Sequence, residues 1–255
     1  MKKWRLLRTD TQADSYMKMA TDEAILLAVG QKKSPPTLRF YICPRPAVAI
    51  GYFQSIKKVL NLPACQKDKI EIFRRMTGGG AVYKHQEGEL NYSLVIPENF
   101  SAQTKDILNS YRLIESGVIK GLARLGIKAD FGGINDIMIE GKKISGNAQT
   151  RSSGAILQHG TILLDFNPEL MLKYLKIPKI KMIDKKFTSP RTQVGTIKEY
   201  LPDLKINKLQ KEIINGFADV FEVEFTRGLL SSWEKKTAQN LYDNKYTQEE
   251  WIYKR

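Results

Sequence analysis

Residues 74–93 read RRMTGGGAVYKHQEGELNYS, and the fold turns on how the three glycines of this run are used. Ile70 to Arg74 reads as a short strand leading into Gly78, Gly79 and Gly80. Leu90 to Ile96 reads as another strand, ended by Pro97. Three glycines open backbone torsions closed to other residues and strip side chains from a contact surface. A ligand can then lie against bare N–H groups, which cradle anions. Arg74 and Arg75 add guanidinium forks that suit phosphate or carboxylate oxygens. The run is not the GxxxxGK[ST] phosphate loop, because Ala81-Val82-Tyr83 follows Gly80. Nor is it GxGxxG, because no helix opens after it. A glycine-rich hairpin without a ligand uses the same residues, so both readings stand at this level.

Outward from this run the chain alternates strand and helix signals. Trp4 to Leu7 reads as a strand. Asp14 or Ser15 caps a helix to about Val29, with Met17, Ala20, Ala24 and Leu27 as its core stripe. TLRFYI (37–42) and AVAIGY (47–52) read as strands across a proline turn. A long helix covers roughly 103–125 on Ile107, Leu108, Tyr111, Ile114, Val118 and Leu122, with Gly126 as its C-terminal glycine. Residues 137–146 read as a hairpin turning at Gly141-Lys142, and 155–166 as a strand with His159-Gly160 in its middle. A glycine there marks a bulge or a close backbone approach. Helices are predicted over 168–175, 205–221 and 229–242. KIPKIKMIDKK (176–186) reads as a lysine-rich surface loop. The expected fold class is α/β (α+β), a single unit over 1–255 with a strand-rich core to about 166 and a helical part beyond.

The composition excludes several classes. Two cysteines, Cys43 and Cys65, cannot form a disulfide framework. With two histidines and no CxxC, a structural zinc site is excluded as well. The N-terminus lacks the apolar run of a signal peptide, and no stretch approaches a membrane span of about 20 apolar residues, so a cytoplasmic location is expected. The net charge of +14 attracts polyanions in general. No RNP-like or helix-turn-helix signature accompanies it, so a nucleic-acid regulator is disfavoured.

A second constellation, GINDIMIEGKKISGNAQTRSSGAILQHGTILLD (133–165), carries candidate chemistry. Lys143 could place an ammonium in a cleft to neutralise a phosphate or polarise a carbonyl. Asn135-Asp136 could orient a ligand, and His159 could contact one. On local grounds a solvated turn lysine and a hydrogen-bonded core histidine are the commoner uses of such residues, and a turn pair explains Asn135-Asp136 as well.

Together, RRMTGGGAVY, ELNYS, ND…EGKKISGNAQ and LQHGTILLD resemble the lipoate–protein ligase A family, within the superfamily of lipoate ligases, octanoyltransferases and biotin ligases. MATDEAILLAV (19–29) and LYDNKYTQEEW (241–251) fit as well, so nearly the whole chain is covered. The glycine run and LQHGTILLD are closer to the lipoate branch than to biotin ligases. The resemblance implies a mixed, curved β-sheet flanked by helices. It places Lys143 as the catalytic lysine, holding the acyl carbonyl and the phosphate of an acyl-adenylate. It implies ATP or lipoyl-AMP contacts at Arg75, Thr77, Gly78, Gly79, Gly80, Ala81, Val82, Tyr83, Asn135, Asp136 and Lys143. Arg74, Asn91, Gly146, His159 and Gly160 are implied as acyl-pocket or adenylate contacts. Mg2+ would accompany ATP near Asp136, with no resident metal. The sequence departs from the family at Lys84-His85-Gln86-Glu87, where relatives carry a histidine-aspartate step.

The resemblance leaves two chemistries. Ligases activate lipoate with ATP and pass the lipoyl group to a lysine of an acceptor protein. Octanoyltransferases take octanoyl from acyl carrier protein, mostly through a cysteine thiolate. The segment ADFGGINDIMIE (129–140), where related single-domain octanoyltransferases carry that cysteine, has none, and nothing after Cys65 is a cysteine. The reading is therefore a ligase. Full ligases carry a small C-terminal accessory domain that is absent before Arg255, so a separate accessory subunit is expected. The implied acceptors are lipoyl domains and glycine-cleavage H protein, acidic proteins that a basic face would steer.

Overall fold

The computed structural model describes residues 1–7, 9–86, 88–176 and 194–255. The chain opens with β1 (Lys2–Leu7). Asp14 then caps α1 (Ser15–Gly30), its carboxylate accepting from the Met17 amide at 2.8 Å. Next come β2 (Thr37–Tyr41), β3 (Ala47–Ile50), the short α2 (Ile56–Val59) and α3 (Leu62–Lys67), and β4 (Glu71–Arg74). β5 (Val82–Lys84) leaves the glycine run and β6 (Glu89–Pro97) returns. Asp106 caps α4 (Ile107–Ala123) onto the Asn109 amide at 2.8 Å. β7 (Asp130–Gly132), β8 (Asp136–Ile139), β9 (Lys142–Ser152) and β10 (Ala155–Leu163) follow as antiparallel neighbours. The remainder holds α5 (Pro168–Tyr174), α6 (Ile206–Phe221), β11 (Val223–Gly228), α7 (Ser232–Leu241) and α8 (Glu249–Ile252).

Among the described residues, eight strands form one mixed sheet in the order β11-β1-β2-β6-β10-β9-β8-β7, and β4-β3-β5 form a second. β1 runs parallel to both β11 and β2, and β2 antiparallel to β6. This is the mixed sheet with flanking helices expected from the sequence. One face of the large sheet packs on α4 and α6, through Tyr92, Ile114, Val118 and Phe217. These side chains share a face because residues two apart on a strand point the same way. The other face receives α1 and looks toward the small sheet.

Four expectations need correction. The part beyond residue 166 is not wholly helical. β11 lies within it and extends the sheet beside β1, because VEFTRG pairs in register with KKWRLL more than 200 positions away. The hairpin turns at Glu140-Gly141, both at positive φ, and its return strand runs on to Ser152. On α1 the buried surface is wider than the predicted stripe. Met17 and Leu27 are half-buried, while Lys18, Asp22, Ile25 and Leu26 are buried, because the helix is covered by the sheet on one side and α7 on another. The stripe on α4 holds at Ile114, Val118 and Leu122 and fails at its first turn, where Ile107 and Leu108 are exposed. The lysine-rich stretch from residue 177 on lies outside the described residues. No helix among the described residues is long and apolar enough to cross a membrane.

Candidate active site

The two sheets face each other across a cavity of about 340 Å³. Its floor follows from strand register. Tyr41 on β2 opposes Asn91 on β6, which opposes Thr161 on β10, which opposes Gly146 on β9, which opposes Asp136 on β8. Directly opposed residues share a face, so the row crosses the sheet as one line of side chains. The roof comes from the small sheet, where Phe73, Ala49 and Val82 form a second line.

The glycine run closes over this slot. Gly79 takes φ +88°, and a side chain on Gly51 would lie 2.0 Å from the Gly79 carbonyl oxygen, so two backbones meet there with nothing between them. Arg75 fixes the turn from beneath. Its guanidinium donates to the carbonyls of Gly78 at 2.8 Å, Gly80 at 2.9 Å and Ala49 at 3.3 Å, and to Thr77 Oγ1 at 3.2 Å. Arg75 is thus committed to backbone carbonyls, where the sequence reading gave it an anion. Burial lowers its pKa to about 10, which still leaves it charged at neutral pH.

A buried relay continues from Thr77. Because Arg75 Nε donates into Thr77 Oγ1, the hydroxyl proton is free to point at His159 Nε2, 2.8 Å away. His159 then carries its proton on Nδ1, toward Asp22 at 3.4 Å. Asp22 is held by Arg39 at 2.6 Å. Burial pushes the His159 pKa down, so the ring is neutral near pH 7.

Lys143 occupies the mouth. Its Nζ lies 2.6 Å from Asp136 Oδ1, and both side chains are partly exposed, 37% and 30%. A methyl on Gly146 would stand 2.9 Å from this ammonium, so the bare Gly146 is what lets the lysine lie across the floor. Asn135 works through the backbone. Its Nδ2 donates to the Asn147 carbonyl at 2.5 Å, and its own carbonyl accepts from Asn147 N at 2.9 Å. Asn147 in turn donates to Glu115 at 3.0 Å and accepts from Tyr92 Oη at 2.7 Å. A side chain on Gly160 would strike Asn147 Oδ1, which accounts for a glycine inside β10.

Of the residues singled out from the sequence, Arg75, Gly79, Gly80, Ala81, Val82, Asn91, Asn135, Asp136, Lys143, Gly146, His159 and Gly160 line the cavity. Four do not. Arg74 is fully buried elsewhere, donating to the carbonyls of Gly51, Tyr52, Gln54, Trp251 and Ile252 and so tying α8 to β4. Tyr83 alternates to the far side of β5 and stacks on Tyr174 at 5.3 Å. Thr77 is buried behind the wall, and a side chain on Gly78 would meet the Phe53 ring at 3.9 Å. Period-two alternation would have added Lys84 from Val82, Thr161 from His159 and Ala148 from Gly146. The sequence reading did not name them. Among the described residues no group of three or more His, Cys, Asp or Glu could hold a metal ion.

Residues 14–218 match the lipoyl protein ligase A/B catalytic domain, and the chain belongs to that family. It is 36% identical to the octanoyltransferase LipM of Clostridioides difficile, over 100% of both chains. Among solved structures it resembles a chain of a bipartite lipoate protein ligase system, studied with its E2 lipoyl domain, from Thermoplasma acidophilum. That likeness has a TM-score of 0.87 and 33% identity, covering 99% of this chain and 97% of that one. A lipoate–protein ligase A solved with ATP gives a TM-score of 0.85 and 30% identity, covering 99% of each. The protein is an enzyme of the lipoate ligase and octanoyltransferase family.

Proposed function

We propose that this protein transfers a lipoyl group from lipoyl-adenylate to a lysine of an acceptor protein, as the catalytic chain of an ATP-dependent lipoate–protein ligase. The observation that carries the reading is a cavity with a lysine at its mouth and no thiol on its wall. Cys43 is buried, with its thiol pushed up to about 12 by burial. Cys65 is also buried and raised, and neither lines the cavity. A thiolate route has no nucleophile here. An adenylate needs none, since phosphate is already a good leaving group.

In this reading the acceptor amine attacks the acyl carbonyl carbon. A C–N bond forms, the bond from carbon to the phosphate oxygen breaks, AMP departs with the electron pair, and the proton that the amine loses passes to the departing phosphate or to water. Lys143 stabilises negative charge on the carbonyl and phosphate oxygens. The N–H groups around Gly79 and Gly80, with Ala81 and Val82, hold the nucleotide and acyl chain against the floor. Asn135 sets the Asn147 backbone, and the His159 relay holds the glycine run down. For the activation step, one carboxylate plus nucleotide phosphates is an ordinary Mg2+ donor set, and Asp136 is the carboxylate on this wall. The ion would share it with Lys143. The bipartite Thermoplasma system supports two further parts of the reading, a separate accessory chain for activation and lipoyl-domain acceptors.

The name of the Clostridioides relative favours a second reading, octanoyl transfer from carrier protein. Intact mass of a lipoyl domain decides between them. The domain is incubated with this protein and either lipoyl-adenylate or octanoyl carrier protein. A lipoyl mass shift from the adenylate is expected, falling on the order of 10²–10³-fold in rate for Lys143→Ala. Modification from the carrier protein alone would overturn the ligase reading.

A further inference from the structure

One cation on the cavity wall takes no part in the chemistry above. Lys84 ends β5 on the same face as Val82 and reaches from the small sheet down to the large one. Its ammonium donates to Asn91 Oδ1 at 2.6 Å and to Thr161 Oγ1, and the Glu89 carboxylate lies 3.4 Å away. Thr161 also donates to Asn91 Oδ1, and Asn91 Nδ2 donates to Glu89. An ammonium has three protons, and all three are directed. The side chain is therefore a fixed, buried post standing between the sheets.

Its position along the slot can be read from the strands. Lys143 lies over Gly146, Thr161 is one strand further in, and Asn91 is one beyond that. Strands are about 4.8 Å apart, so a group bonded to both Thr161 and Asn91 stands roughly 7 Å from Gly146 across the floor. An extended chain advances about 1.2 Å per bond, so 7 Å is roughly six bonds. Beyond this point the wall turns apolar, with Met19, Tyr41 and Phe73.

We infer that Lys84 is a specificity-determining residue, selecting acyl chains with a polarisable group about six carbons from the carbonyl over unsubstituted alkyl chains of equal length. The cyclic disulfide of a lipoyl chain fits that description. The Lys84 ammonium, with the Glu89 carboxylate 3.4 Å behind it, presents the positive end of a fixed dipole to the cavity. Polarisable sulfur responds to that field, and a methylene responds weakly. The inference rests on the proposed reading, in which the carbonyl sits at Lys143 and the chain runs along the floor.

Calorimetric dissociation constants test it. The wild-type protein should bind lipoate about tenfold more tightly than octanoate. It should also bind 6-thiaoctanoate more tightly than 3-thiaoctanoate, a comparison that needs no substitution. Lys84→Met should bring lipoate and octanoate within about twofold. Lys84→Met/Glu89→Gln removes the carboxylate left without its partner and should do the same. Equal binding of the two thia acids, or a lipoate preference unchanged in both variants, would overturn the role of Lys84 and leave the ligase reading standing. Failure of the wild type to bind any of these acids would overturn the placement of the acyl chain along this floor and with it the role of Lys84, while the ligase reading is overturned only by the absence of transfer from lipoyl-adenylate.

Discussion

Thr77 decides which nitrogen of His159 carries the proton. It accepts from Arg75 and can donate only onward, so one hydroxyl orients both the histidine and the arginine that grips the glycine carbonyls. Thr77→Val keeps the shape and removes the hydroxyl. It leaves His159 Nε2 without a donor and Arg75 Nε without an acceptor. The expected result is a loss of about 1–3 kcal/mol in urea unfolding. Acyl transfer should slow on the order of tenfold as the turn loosens. Thr77→Ser should restore both, which a purely steric role for the threonine would not predict.

Among elements, α4 and α6 cross at backbone contact. A methyl on Gly216 would lie 2.2 Å from the Gly117 carbonyl and 2.3 Å from the Gly121 amide, so backbone meets backbone. No side-chain rotation relieves that clash, and the helices would have to separate. Gly216→Ala should therefore destabilise the protein by about 2–4 kcal/mol, read as a lower urea midpoint. This helix pair covers the face of the sheet opposite the cavity, where Tyr92 packs on Phe217. Transfer by the folded fraction should accordingly stay near wild type, and the contrast with Thr77→Val separates a packing element from a positioning one.

For the molecule as a whole, one buried acid sets a pH dependence. Glu115 on α4 is held between helix and sheet by Asn147, and burial pushes its carboxyl up to about 8. An unfolded glutamate titrates near 4.3. Between these two values the folded state holds a proton that the unfolded state has lost. Stability therefore falls as pH rises through that window and levels off above about 8. Glu115→Gln keeps an oxygen to accept from Asn147 and removes the titration. The variant should be more stable than wild type by about 1–3 kcal/mol at pH 8, with a smaller difference at pH 5, as measured by urea unfolding at both values.

Local rules carried much of this protein. The helix cap at Asp14, the positive-φ glycine at 126, the hairpin before Ser145 and most strands were legible, because caps, turns and alternation act within a few residues. The glycine run and Lys143 were legible too, and Gly79, Gly80 and Lys143 line one cavity. The sequence by itself determined which residues could form a bare-backbone cradle and which lysine could enter it. Tertiary structure alone decided where those groups went. β11 was missed because a parallel partner at Lys2–Leu7 gives no local signal. Arg74 and Arg75 are neighbours with different tasks because successive residues leaving β4 point to opposite sides. His159 meets Asp22 across 137 positions, and Lys84 meets Thr161 across 77, through the packing of two sheets and a helix. The chemistry of each side chain is fixed by its own atoms, but its partners are fixed by which surfaces must be buried together.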